Sequence, residues 1–232
     1  MKPSQSLQSR LLYLFSLLFL ISFITASPIP SPDANLITRD EFDDLAQHDL
    51  LPRGCAFSKQ APTIQICSTV PTVAQLVTTL TTLKVVSNKD SLFYSGLGGG
   101  SAQTTAKNWY KANVKGGRGA VSFQDVSAGD WYIQQIQALG GPNASGTDSF
   151  QKRLSQAFAE VSSGRVYFFT KHGTDGTKMS TSTAWGGWEY PALTRNTQVK
   201  DILQVDPTMT PTDPGAVIWT KSSGPSSQAP LG

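Results

Sequence analysis

Cysteine and histidine are scarce in this 232-residue chain, with two of each. Cys55 and Cys67 have no zinc-ligand spacing, and neither has the sequence surroundings of a catalytic thiol. Metal chemistry is therefore not expected. His172 is the only histidine of the expected folded region; it sits in a polar loop without a visible partner and reads as a loop residue rather than a catalyst. Charge is also sparse, at 15% of residues, with 19 basic against 16 acidic groups. That balance leaves no electrostatic footprint for nucleic acid. Long apolar runs are absent after Leu11–Ile24, and that one is short for a bilayer. No internal repeat is visible, and the serine-hydrolase elbow fails because Gly99-Gly100-Ser101-Ala102 is followed by Gln103.

What is present divides the chain. Lys2 and Arg10 before the apolar run, with Ala26 or Ser27 after it, make residues 1–26 a secretory signal, so the expectation is a secreted, extracellular protein. Its removal leaves 17 basic against 16 acidic groups, a balance of +1. Residues 27–53 read as a disordered tail or pro-segment, with prolines at 28, 30 and 32 and an acidic run over 40–44. The expected domain covers 54–222, and 223–232 is a Gly/Pro/Ser tail expected to be disordered. In an oxidising compartment Cys55 and Cys67 are expected to bridge, contributing about 3 kcal/mol. Asn143-Ala144-Ser145, among glycines and Pro142, is an acceptor sequence for N-glycosylation in an exposed loop.

Within the domain, Pro71 opens a helix whose apolar face is Val73, Leu76, Val77, Leu80 and Leu83. Residues 91–95 form a short strand. The glycine loop 96–100 and a helix capped by Ser101 follow, carrying Ala106, Trp109 and Tyr110. Strand, glycine loop and helix start offer free amides to an anion, though Ser101 stands where a dinucleotide fingerprint has its third glycine. A plain surface turn is the other reading of this loop. Ala120–Phe123 is a second strand, with Gln124 and Asp125 at its ligand-facing end. Residues 130–136 continue as a helix. The next helix, capped by Thr147, buries Phe150, Leu154, Ala157, Phe158 and Val161 and turns Lys152, Arg153 and Gln156 to water. Gly164 ends it, and Arg165–Phe169 is a strand. Val199, Ile202, Leu203 and Val205 read as another strand or a short helix, and Ala216–Trp219 as a last strand at a sheet edge. The expected architecture is a single layered α/β domain with a short, mostly parallel sheet flanked by helices and a helical N-terminal part.

Trp185-Gly186-Gly187-Trp188-Glu189-Tyr190-Pro191 concentrates two indoles, a carboxylate and a phenol around a glycine pair. Flat rings hold flat ligands or sugar faces, and a carboxylate among them sheds water and titrates late. The alternative is a tryptophan-rich hairpin whose rings only pack.

Taken in order, three stretches resemble the ADP-ribosyl cyclase and NAD glycohydrolase family. Phe93-Tyr94-Ser95-Gly96 is similar to its aromatic–Trp–Ser–Gly signature, and Ser122-Phe123-Gln124-Asp125 to its Thr-Leu-Glu-Asp signature. Ser155-Gln156-Ala157-Phe158-Ala159, followed by Gly164-Arg165-Val166-Tyr167, looks like its Ser-x-x-Phe-Ala helix running into a strand. Glu189 falls where that family places its catalytic glutamate. Tyr94 stands for a tryptophan, Gln124 for a glutamate, and Phe150 lies one residue from a second site tryptophan. One disulfide replaces many.

The resemblance implies that NAD is a substrate rather than a cofactor and that the nicotinamide–ribose bond is cleaved. Glu189 would stabilise an oxocarbenium-like sugar, and Ser155 would bond near the ribose or phosphate. Tyr94 with Trp185 or Trp188 would stack on a ring. Ser95, Gly96 and the following amides would meet the pyrophosphate, and Gln124 and Asp125 the nicotinamide end. A neutral Gln124 favours hydrolysis over cyclisation. Two other readings stay open: a secreted interaction protein using the aromatic cleft for a partner or glycan, and a carbohydrate-active enzyme pairing Glu189 with Asp125.

Overall fold

The computed structural model describes residues 55–57, 64–97, 101–209 and 212–232. The expected signal and pro-segments over 1–53 and the glycines at 98–100 lie outside the described residues. A hairpin of β1 (Cys55–Phe57) and β2 (Gln65–Cys67) comes first, ahead of the expected N-terminal helix. The Cys55–Cys67 disulfide joins directly paired residues across it. Gln135 extends the hairpin like another strand: its side chain accepts from Cys67 N at 2.9 Å and donates to Cys67 O at 2.6 Å.

α1 (Val73–Thr82) is fastened at its start by a capping box between Thr72 and Gln75. The main sheet then opens with β3 (Asp90–Tyr94), followed by α2 (Ala102–Asn113) and β4 (Ala120–Ser122). α3 (Phe123–Ser127) begins immediately, because Asp125 returns to cap Ser122 N at 2.8 Å. α4 (Asp130–Ala138) and α5 (Ser145–Val161) precede β5 (Gly164–Phe169). Thr147 does not cap α5. The helix starts at Ser145, and Thr147 Oγ1, inside its first turn, donates to Gly141 O at 2.7 Å. Asn143 is exposed in the turn just before α5.

A π-helical turn, Trp185–Glu189, runs directly into α6 (Tyr190–Arg195), and β6 (Val199–Val205) and β7 (Ala216–Thr220) complete the sheet. Strand order is β4-β3-β5-β6-β7, with β7 antiparallel at one edge and the other pairings parallel. The fold is thus a layered α/β domain with a mostly parallel sheet.

Alternation along the strands fills two cores. Phe93, Val166, Phe168 and Ile202 face the layer built by α1, α4, α5 and α6. Leu92, Tyr167, Phe169 and Leu203 face α2, through Ala106, Trp109 and Tyr110. The crossover from β3 to β4 through α2 covers one face, and the return from β4 to β5 through α3–α5 covers the other. Right-handed crossovers demand this when strand order reverses. The chains leaving β3 and β4 therefore part to opposite faces and leave a crevice at the strands' carboxyl ends.

Residues 223–232, expected as a disordered tail, run along the body. Ser226 N donates to Thr194 Oγ1 (3.0 Å), Leu231 N to Gly187 O (3.1 Å) and Gly232 N to Gln156 Oε1 (3.1 Å). Composition alone does not reveal these acceptors, because they belong to distant helices. Among the described residues no helix is long and apolar enough to cross a membrane.

Candidate functional site

A cleft of about 300 Å³ opens at the carboxyl ends of β3 and β4. Tyr94 comes from the last position of β3, and Phe123 and Gln124 from the start of α3. Helix α5 supplies one wall. Asp148, Gln151, Lys152 and Ser155 line it, and their spacing places them on a single helical face. Glu189 closes the site from the π-helical turn.

That turn exists because two glycines permit it. A side chain on Gly186 would collide with the carbonyl oxygens of Met179 and Ser180, and one on Gly187 with that of Thr181. Tyr190 N–H reaches back to Trp185 O, the bond that defines the wider turn. Trp185 anchors it: the indole is fully buried, stacks on Phe168 with centroids 3.6 Å apart, and donates to Gly176 O at 2.7 Å. Four residues on, Glu189 also points inward and is only 6% exposed.

Ser155 Oγ donates to Glu189 Oε1, and both side chains are buried. Burial pushes the Glu189 carboxyl up to about 7, against the opposing pull of the Ser155 hydrogen bond. Among the described residues a single hydroxyl is what this acid has in place of an ion-pair partner. Burial also pushes the Tyr94 phenol up to about 12, with the charges of Glu189 and Asp125 adding to the rise. Ser122 Oγ, which draws it back, already donates to Asp125 (3.0 Å) and accepts from Gln103 (2.9 Å). The Tyr94 hydroxyl is buried without a hydrogen-bond partner among the described residues, and the ring is a neutral phenol at this wall.

The cleft joins Glu189, Ser155, Tyr94 and Gln124, four of the residues expected from sequence. The other expectations fall differently. Trp185 is core, not a ligand-stacking ring, because Phe168 occupies its face. Phe150 is likewise fully buried, against Trp131 and Tyr132, and Gln151 takes the cleft position beside it. Trp188 is half-buried, with Lys152 Nζ 5.2 Å from its ring centroid, so a cation sits where a ligand ring was expected.

Asp125 is tied up beneath the site, by Lys107 Nζ at 2.5 Å and by Ser122. Its burial pushes its pKa up, but the Lys107 and Ser122 hydrogen bonds outweigh that and hold it below the ordinary carboxylate value. Ser95 N is spent on Phe169 O at 3.0 Å, and Gly96 turns the chain out of β3 with φ +72°. Of the other amides expected to meet an anion, from Gly96 to Ser101, those at 98–100 lie outside the described residues. His172 is exposed in its loop.

Asp148, Gln151 and Lys152 were not expected in the site. Lys152 was expected in water, as were Arg153 and Gln156. Instead Arg153 Nη1 donates to Val70 O and Pro71 O (3.3 and 3.2 Å), and Gln156 is buried. Counting back from Ser155 by one and two helical turns would have found the three cleft residues. The apolar stripe drew attention to the opposite face. No cluster of three or more potential metal ligands occurs among the described residues.

No protein-family model matches the chain, and no curated protein matches it in sequence. Functional argument therefore rests on the chemistry of this cleft.

Proposed function

We propose that the protein cleaves the bond between nicotinamide and ribose in NAD or a close analogue, releasing nicotinamide and passing the sugar to water. The observation that carries this reading is the buried Ser155–Glu189 pair at the base of an aromatic- and amide-lined cleft. Departure of a neutral pyridine leaves an oxocarbenium-like sugar. A buried carboxylate paired with a hydroxyl rather than an ion stabilises that cation strongly, since little water screens it. The substrate's own positive ring favours ionisation of Glu189 on binding, and Ser155 fixes which oxygen remains free. Tyr94 offers a flat wall for the leaving ring, and Gln124, exposed at the rim, offers a neutral amide to its polar substituent. With no carboxylate at position 124, water is the expected acceptor and hydrolysis the main outcome. Asp125 is held by Lys107 and Ser122, which disfavours a two-carboxylate glycosidase.

Incubating the purified protein with NAD and following free nicotinamide tests the reading. Release by the wild type and its loss in Glu189→Gln are expected. A folded wild type that releases none would overturn it, and equal rates in the two proteins would remove Glu189 from its role.

A further inference from the structure

We infer that Lys152 makes the cleft selective for substrates with an anionic group next to the reacting sugar, a phosphate ester rather than a free nucleoside, and that Trp188 holds it in place. The inference rests on the reaction proposed above for the identity of the sugar, and on the cleft's own charges for the anion. Lys152 is the one cation among the described residues lining the cleft. It stands three residues before Ser155 on the same face of α5. A negative group beside a sugar held at Ser155 and Glu189 therefore meets it first.

Two contacts define its position. Nζ lies 5.2 Å from the centre of the Trp188 ring, and 2.6 Å from Asp148 Oδ2. The two differ in permanence. The Trp188 ring is half-buried in the π-helical turn and directly precedes Glu189, so it holds the ammonium among the residues that line the cleft. The Asp148 side chain is 69% exposed, against 37% for Lys152. An exposed pair one helical turn apart is weak, and its acid is free to swing into water. A ligand phosphate drawn into the cleft replaces it with a better-desolvated anion. Asp148 is the counter-ion that the ligand's anion displaces, and Lys152 is already ordered when the ligand arrives. A lysine suits a phosphate here as a point charge, with no fork geometry required.

The test compares NAD with nicotinamide riboside, which carries no phosphate, in wild type, Lys152→Met and Lys152→Arg. Lys152→Met keeps the stem and removes the charge. It is expected to lower the ratio of kcat/KM for NAD over riboside about tenfold, with the loss in KM rather than kcat, and Lys152→Arg to restore most of it. Trp188→Leu is expected to lower the same ratio less. Calorimetric titration with ADP-ribose reads the same contact without turnover. Affinity should fall about tenfold in Lys152→Met, and the weakening of wild-type binding by added salt should shrink. Unchanged ADP-ribose affinity in Lys152→Met, at wild-type melting temperature, overturns the inference. NAD cleavage with that result leaves the reaction standing without the anion contact. ADP-ribose binding that depends on Lys152, with no nicotinamide release from NAD, keeps the anion contact and removes the reaction. A wild type that neither binds ADP-ribose nor cleaves NAD removes both.

Discussion

Strand β3 has an acid near each end, and the two are solved in opposite ways. At its amino end Asp90, 7% exposed, accepts from Arg118 Nε and Nη2 (3.2 and 3.0 Å) on one oxygen and from Tyr110 Oη (2.7 Å) on the other. A hollow of about 600 Å³ lies over it, but the acids there, Asp90 and Asp201, are each paired with an arginine. At the carboxyl end Glu189, 6% exposed, has the hydroxyl of Ser155. Equal burial thus gives two different groups. A fully partnered carboxylate is a structural tie, whereas one without a countercharge is held in a state that an incoming cation can relieve. The larger hollow is the structural one and the smaller is the candidate active site. Size does not separate them, but the satisfaction of the buried acid does.

The sharpest way to break this contrast is to neutralise each acid. Glu189→Gln should lower nicotinamide release by about 10² to 10³-fold, the range typical of losing one preorganised electrostatic stabiliser. The measurement is initial rate at saturating NAD. An equal loss in Asp90→Asn would erase the distinction.

Stability against pH should separate the two next. Burial pushes the Glu189 carboxyl up to about 7 in the folded protein, from its ordinary value of 4.5. The native state therefore holds a proton that the unfolded chain releases, and stability falls as pH rises from about 4.5 to about 7. Glu189→Gln should be more stable than wild type above that window, by on the order of 3 kcal/mol, and no more stable below pH 4. Urea melts at pH 4 and pH 8 measure the difference. The same ionisation should make wild-type activity rise with pH through about 7.

Asp90→Asn should act on the fold and leave the cleft alone. Arg118 and Tyr110 lose their charged acceptor, and a loss of about 2–3 kcal/mol is expected, below the usual cost of breaking a buried pair because Arg118 is partly exposed. Thermal melts and nicotinamide release on the same preparation check both halves of the statement. The smallest effect is expected from Ser155→Ala. Without its one donor Glu189 ionises later, so the rising limb of the pH–rate profile should move to higher pH, and kcat near pH 7 should fall about tenfold. An unmoved profile would mean that Ser155 does not tune the acid.

Much of the scaffold was legible because it obeys short periods. The stripe Leu76–Leu80 on α1, that of Phe150, Leu154 and Phe158 on α5, and the apolar strands β3 and β5 were all readable from spacing. The edge position of β7 was readable too. The hairpin β1–β2 was not, because its strands are three residues each and lean on Gln135, far along the chain. In the site, Glu189, Ser155, Tyr94 and Gln124 were read from motif order. Ser95, Gly96, Asp125 and the rings of Phe150, Trp185 and Trp188 fall outside its lining. Sequence shows that Trp185, Trp188 and Phe150 are large and flat, but not whether Phe168, Lys152 or Trp131 already covers them.

The chain's own order of residues settles the alternation of strand and helix, the glycine pair that permits a wide turn before Glu189, and the scarcity of cysteine and histidine. These are local matters of steric freedom, period and composition. Only the tertiary structure decided which groups share a cleft. The connections that carry α5 and the π-helical turn cover the same face of the sheet, and that brings Ser155 and Glu189, 34 positions apart, to one buried hydrogen bond. The protonation of that acid is decided there as well, because a carboxyl titrates according to the water and charges around it, and those arrive with the fold.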